Sequence, residues 1–124
     1  MAGIRTDIKN LEMQGLLSHI VRHGSGEGLW QPPTDVFETE HEVVVCMEIP
    51  GLKREAIGIQ FAHNTLTISG ERESEASAQK VQFIQMEINY GRFLREITIY
   101  KPVRPEKLVA RYADGFLKVV LPKV

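Results

Sequence analysis

The chain contains one cysteine, Cys46, among 124 residues. No internal disulfide can form, which fits a reducing compartment or one where thiol oxidation is unused. There is no continuous apolar run of the roughly 20 residues that a membrane span requires. The first thirty residues break their short apolar groups with Arg5, Asp7, Lys9 and Glu12, unlike a secretory signal. Runs of Lys and Arg are missing too. With 15 basic against 16 acidic residues the formal net charge is -1, so no attraction to nucleic acid or anionic membrane is expected. Aromatic residues make up 7% of the chain and do not interleave with basic ones, which argues against base-stacking platforms. The expectations are a cytoplasmic protein with no nucleic-acid and no membrane partner.

Catalytic constellations are equally scarce. No Gly-rich phosphate loop, nucleophile elbow or paired catalytic histidine is present. His19 and His23 stand at i, i+4, a metal-ligand spacing on a helix, but no Cys, Asp or Glu nearby completes a set and Gly24 ends the segment. His41 and His63 fall at a strand start and in a turn, where polar residues belong. Cys46 lies mid-strand beside Val44 and Val45 with no activating base in sequence, and reads as a small apolar filler. Glu38, Glu40 and Glu42 share one face at a strand end, the ordinary position of a solvated rim. No enzyme activity, no cofactor and no metal are expected.

What is present is patterned apolar residues. The chain is long enough for one core without metal or disulfide support, and 43% apolar with 25% charged residues places it in the globular range. In the first zone Ile4, Ile8, Leu11, Leu16, Leu17, Ile20 and Val21 recur near helical spacing, before a flexible HGSGEG break at residues 23–28. So short an amphipathic helix is marginal alone in water. It either docks on its own domain or serves as an adhesive arm for another subunit or a client.

After residue 30 the period changes to two. Val43, Val45, Met47 and Ile49 share one strand face, opposite Glu42, Val44, Cys46 and Glu48, and Pro50-Gly51 stops the strand. Ile57, Ile59 and Phe61 alternate on the next strand and Leu66 and Ile68 on its partner, with His63-Asn64 turning between them. A polar stretch, ESEASAQK, reads as mobile. VQFIQMEINY then carries apolar groups on both faces, a pattern that requires burial on both sides. A lone strand on a long loop cannot achieve that, so pairing with another subunit is expected. Asp114-Gly115 is a strong hairpin signal ahead of a last strand with Leu117, Val119 and Leu121 on its inner face. About eight short strands predict an all-β, antiparallel β-sandwich of immunoglobulin-like type, preceded by a short N-terminal amphipathic helical arm.

The order of motifs resembles the α-crystallin domain of small heat-shock proteins, in the bacterial and plant branch that carries a long strand-bearing loop. The first half is matched by Pro33, Asp35, Phe37, Glu38, Pro50-Gly51, the Lys53 to Ile57 step, and Leu66, Ile68, Gly70, Glu71 and Arg72. The second half is matched by Gly91, Phe93 and Arg95, then Ala110, Asp114, Gly115, Leu117, Pro122 and Lys123. The resemblance divides the chain into an arm, 1–29, and a domain, 30–124.

It implies an ATP-independent holdase that binds unfolding client proteins, working as a homodimer by strand exchange and as higher homo-oligomers. The implied dimer interface joins Phe83, Ile84, Met86, Glu87 and Ile88 of one chain to Asp35, Val36, Phe37 and Glu38 of another, with Arg95 nearby. The family's basic residues beside the position of Glu87 are replaced here by Gln85, Met86 and Ile88, so apolar contact is expected instead of ion pairing. A further departure is ITIYKP, whose Pro falls two residues late and implies a local loop change. Arm residues Ile4, Ile8, Leu11, Leu16, Leu17 and Ile20 are expected to contact clients or neighbouring subunits.

Members of this family typically continue into a mobile tail whose I-x-I motif docks in a groove, here matched by Ile57, Ile59, Phe61, Leu108 and Ala110. Some of these also fit as core. The sequence stops at Val124 with no I-x-I tail, and truncation is expected over a naturally tail-less chain. The alternative is a CS-type co-chaperone adaptor binding one dedicated partner. Such adaptors lack the strand-bearing insert.

Overall fold

The computed structural model describes residues 3–4 and 29–124. Its strands are β1 (Gly3–Ile4), β2 (Thr34–Glu38), β3 (Glu42–Glu48), β4 (Gly58–Ala62), β5 (Thr65–Arg72), β6 (Gly91–Thr98), β7 (Val109–Ala113) and β8 (Phe116–Pro122). Three 3-10 turns intervene: η1 (Arg54–Ala56), η2 (Glu75–Ala78) and η3 (Pro105–Lys107). The strands build two sheets, ordered β1-β7-β8-β3-β2 and β4-β5-β6, with every named pair antiparallel. The immunoglobulin-like β-sandwich expected from the period-two pattern is the fold observed.

Its core follows from that alternation. Val43, Val45 and Met47 of β3 face Leu121, Val119 and Leu117 of β8 in register, and all six are buried. The smaller sheet answers with Ile59, Leu66, Ile68, Phe93 and Ile97, joined by Ile57 just ahead of β4. Pleating sends successive side chains to opposite faces, so one alternating run per strand suffices to define this layer. Val44 is the exception. It points outward with Glu42 and Cys46 yet is only 3% exposed. Its register partners are Phe37 on one side and Val120 on the other, and this cross-strand apolar row shields it.

The two tight hairpins form where Asn and Asp-Gly signals stand. His63 and Asn64 have φ of 51° and 60°, and Asp114 and Gly115 have 53° and 81°. Positive φ at both central residues is the geometry that matches strand twist in a two-residue hairpin. The turn after β3 is held by three hydrogen bonds from two partners. Ile49 donates its N–H to the Gly115 carbonyl (2.8 Å). The Tyr112 hydroxyl donates to the Ile49 carbonyl (2.7 Å) and accepts from the Leu52 N–H (3.2 Å).

One expectation is corrected, and two segments take forms that the pattern does not specify. Ile4, assigned above to a helical repeat, lies in β1, where it pairs with Ala110; a free sheet edge offers its backbone ladder partners that a short helix lacks. The rest of the arm, including Ile8, Leu11, Leu16, Leu17 and Ile20, lies outside the described residues. Within ESEASAQK, η2 forms, with the Ser74 hydroxyl accepting from the Ala76 N–H (3.1 Å) as an N-terminal cap. Residues 79–90 form no strand within one chain, in keeping with an extended segment whose ladder partner is expected in another subunit.

Candidate functional site

β2 ends the larger sheet. Its register is Asp35 to Cys46, Val36 to Val45, Phe37 to Val44 and Glu38 to Val43. The opposite row of backbone donors and acceptors has no ladder partner among the described residues, which makes β2 a template for another strand. Val36 lies on the inner face and Phe37 on the outer, each 49% exposed. An open edge that is apolar on both faces is an incomplete surface.

Glu38 closes one end of this edge. Lys123 Nζ donates to Glu38 Oε1 (2.8 Å) and to the Thr39 carbonyl (2.7 Å), with Lys101 Nζ 3.9 Å from the same carboxylate. The Lys123 hydrogen bond outweighs an opposing desolvation and, helped by the charges of both lysines, holds the Glu38 carboxyl below its ordinary range. The backbone of Lys123 donates to the His41 carbonyl, and Val103 bridges to Lys123. The late proline, Pro102, falls in this loop and its carbonyl accepts from the Val124 N–H.

The second surface is the connection between β5 and β6. Val81, Phe83, Ile84, Met86 and Ile88 are all about half exposed or more, with Ile84 fully so. Glu87 accepts a hydrogen bond from the Gln85 side chain, so its neighbour partners it where the family pattern has basic residues. Within one chain no ladder joins 83–88 to β2. The structure thus displays the two halves of the expected interface without bringing them together.

The stem of this loop is built around Arg72, a residue that sequence reading placed in a motif without a role. Its Nε and Nη2 donate to the Asn89 carbonyl (3.0 and 2.6 Å), and Nη1 to the Pro50 carbonyl (3.0 Å). The guanidinium lies 4.5 Å from the Trp30 ring centroid and 5.5 Å from that of Tyr90. Trp30 in turn bridges to Phe93, donates its indole N–H to the Gly91 carbonyl (3.1 Å), and packs edge-on against the Phe93 ring. The segment then crosses to β2 through Pro32 and Pro33. Arg95 Nη1 donates to the Pro32 carbonyl (3.3 Å), so this residue, expected at the dimer contact, secures the crossing inside its own chain. No local sequence signal marks these contacts, which join positions far apart in the chain.

The groove residues divide. Ile57, Ile59 and Ala110 are fully buried and Leu108 nearly so, whereas Phe61 is partly buried against the core. In this chain they serve mainly as sandwich core, with Phe61 beside the free edge of β4. Among the described residues no group of three or more His, Cys, Asp or Glu is placed to hold a metal ion, and no helix is long and apolar enough to cross a membrane.

Fold and surfaces together define an antiparallel β-sandwich with an open strand edge at one place and an exposed apolar loop at another. Residues 35–124 match the Hsp20/alpha crystallin family, and the chain belongs to it. Among curated proteins it is 37% identical over 92 residues to heat shock protein HSP.16.4 of Streptococcus thermophilus, covering 73% of this chain, and spans 64% of that relative's length. It is 35% identical over 99 residues to heat shock protein 16 of Schizosaccharomyces pombe, covering 78% of this chain and 69% of the relative. Among solved structures it superposes on heat shock protein 16.0 from S. pombe with a TM-score of 0.71 at 35% identity, covering 77% of this chain and 88% of the other. A small heat-shock protein from Xylella fastidiosa gives 0.70 at 30% identity, covering 76% and 86%.

Proposed function

We propose that this chain is an ATP-independent holdase that captures unfolding proteins through apolar surface and prevents their aggregation in the cytoplasm. The observation that carries the reading is the match of residues 35–124 to the Hsp20/alpha crystallin family, supported by apolar side chains exposed outside the exchange surfaces at Tyr100, Val109 and Phe116. Burial of apolar surface contributes roughly 25 cal/mol per Å². A few hundred Å² of such surface in several copies therefore competes with client self-association, and avidity multiplies weak single contacts. The single cysteine supports a reducing compartment.

The reading includes a homodimer in which 83–88 of each chain extends the β2 edge of the other. It also takes residues 1–29 as an arm for clients and oligomer growth, 30–124 as the domain, and the free edge of β4 around Phe61 as a receptor for apolar peptide. The test is light scattering of a heat-destabilised client, without ATP, across molar ratios of this chain. Suppression near equimolar subunits is expected. Unaltered aggregation at every ratio would overturn the holdase reading and favour an adaptor with one dedicated partner.

A further inference from the structure

We propose that Arg72 is the positioning residue of the exchange loop, fixing the direction in which residues 79–90 leave the sandwich and thereby setting the strength of the dimer. This rests on the strand-exchange reading above. The loop borders two grooves, of about 750 Å³ and about 560 Å³. Arg72, Glu73, Ser74, Ala76 and Tyr90 line both grooves. Arg72 and Gly91 are the last register pair of β5 and β6, and the loop re-enters the sheet there through a Gly91 φ of +94° with open space around an added Cβ. Backbone freedom at that position leaves the direction of the loop to whatever grips its end.

That grip is the guanidinium. All three of its nitrogens are engaged, two on the loop carbonyl of Asn89 and one on Pro50 of the body, while its plane lies against Trp30. A planar, always-charged fork can hold two carbonyls and an aromatic face at once. A lysine ammonium is a single point and cannot. Holding a segment in its bound direction before association removes an ordering cost from binding. In a twofold dimer that exchanges two loops the saving occurs twice.

The test measures the dimer dissociation constant by dilution in analytical ultracentrifugation for the full chain, Arg72→Met, Arg72→Lys and Phe83→Asp. Loss of the charged hydrogen bonds in Arg72→Met is expected to weaken the dimer about tenfold or more, with Arg72→Lys recovering part of the affinity. Urea unfolding of Arg72→Met in the monomeric Phe83→Asp background separates positioning from folding. A dissociation constant unchanged by Arg72→Met overturns the proposal, as does a loss of monomer stability as large as the loss of dimer affinity. Should the Met variant fail to fold, the Lys variant decides, since wild-type affinity there would equally overturn it. If Phe83→Asp itself leaves the dimer mass unaltered, strand exchange is wrong and the role of Arg72 falls with it.

Discussion

Gly70 and Glu38 illustrate what single residues contribute here. A Cβ built on Gly70 would lie 2.8 Å from the Phe93 ring and 2.9 Å from the Ala56 carbonyl oxygen. The ring cannot retreat, because Phe93 is fully buried and carries Trp30 on its edge. Gly70→Ala is therefore expected to destabilise the domain by about 1–3 kcal/mol, the usual cost of overpacking, read as a lower urea midpoint. Glu38 makes a pH prediction. Its carboxyl is held down in the folded state, chiefly by Lys123, so its stabilising contribution is present above the unfolded glutamate range. That contribution disappears as the pH falls through the folded value. Carboxyl-carbon NMR titration should show Glu38 with a midpoint below that of ordinary glutamates, and Lys123→Met should move it upward. An unmoved midpoint would show that the hydrogen bond is not what holds it.

At the scale of elements, β3, β4, β5 and β8 were legible because each sends an alternating apolar run to the core, and a one-residue slip would take Val45 or Val119 out of it. The hairpins were legible because positive φ restricts which residues suit their turns. The Arg72 contacts were not, since they depend on Trp30, Pro50 and Asn89 converging after the sheets form. Nor was the burial of Val44, which depends on register across three strands. The 81–90 segment was legible in composition but not in conformation, because its two apolar faces have no counterpart in one chain. Phe83→Asp tests that element directly. Phe83 is half exposed, so the charge costs the single domain little, whereas an exchanged strand would have to desolvate it. Native mass spectrometry should show monomers with the near-ultraviolet circular dichroism of the folded domain.

For the whole molecule, the buried core residues among those described run from Val43 to Leu121. Removing residues 1–28 is expected to leave Trp30 packed and the sandwich folded, while oligomers shrink and client protection falls. Light scattering by the assembly and of a heated client measures both, and no change in either would leave the arm without its assigned role. The order of strands has another consequence. β8, the last of the described strands, lies between β3 and β7 in the larger sheet and supplies Leu117, Val119 and Leu121 to the centre of the core. A ribosome builds the chain from its N-terminus over many seconds. Throughout that time β3 has no neighbour for half its ladder, and its buried valines are open to water. The nascent domain therefore passes through the same vulnerable condition as the clients assigned to the finished protein, and it can close only after its final strand has emerged from the exit tunnel.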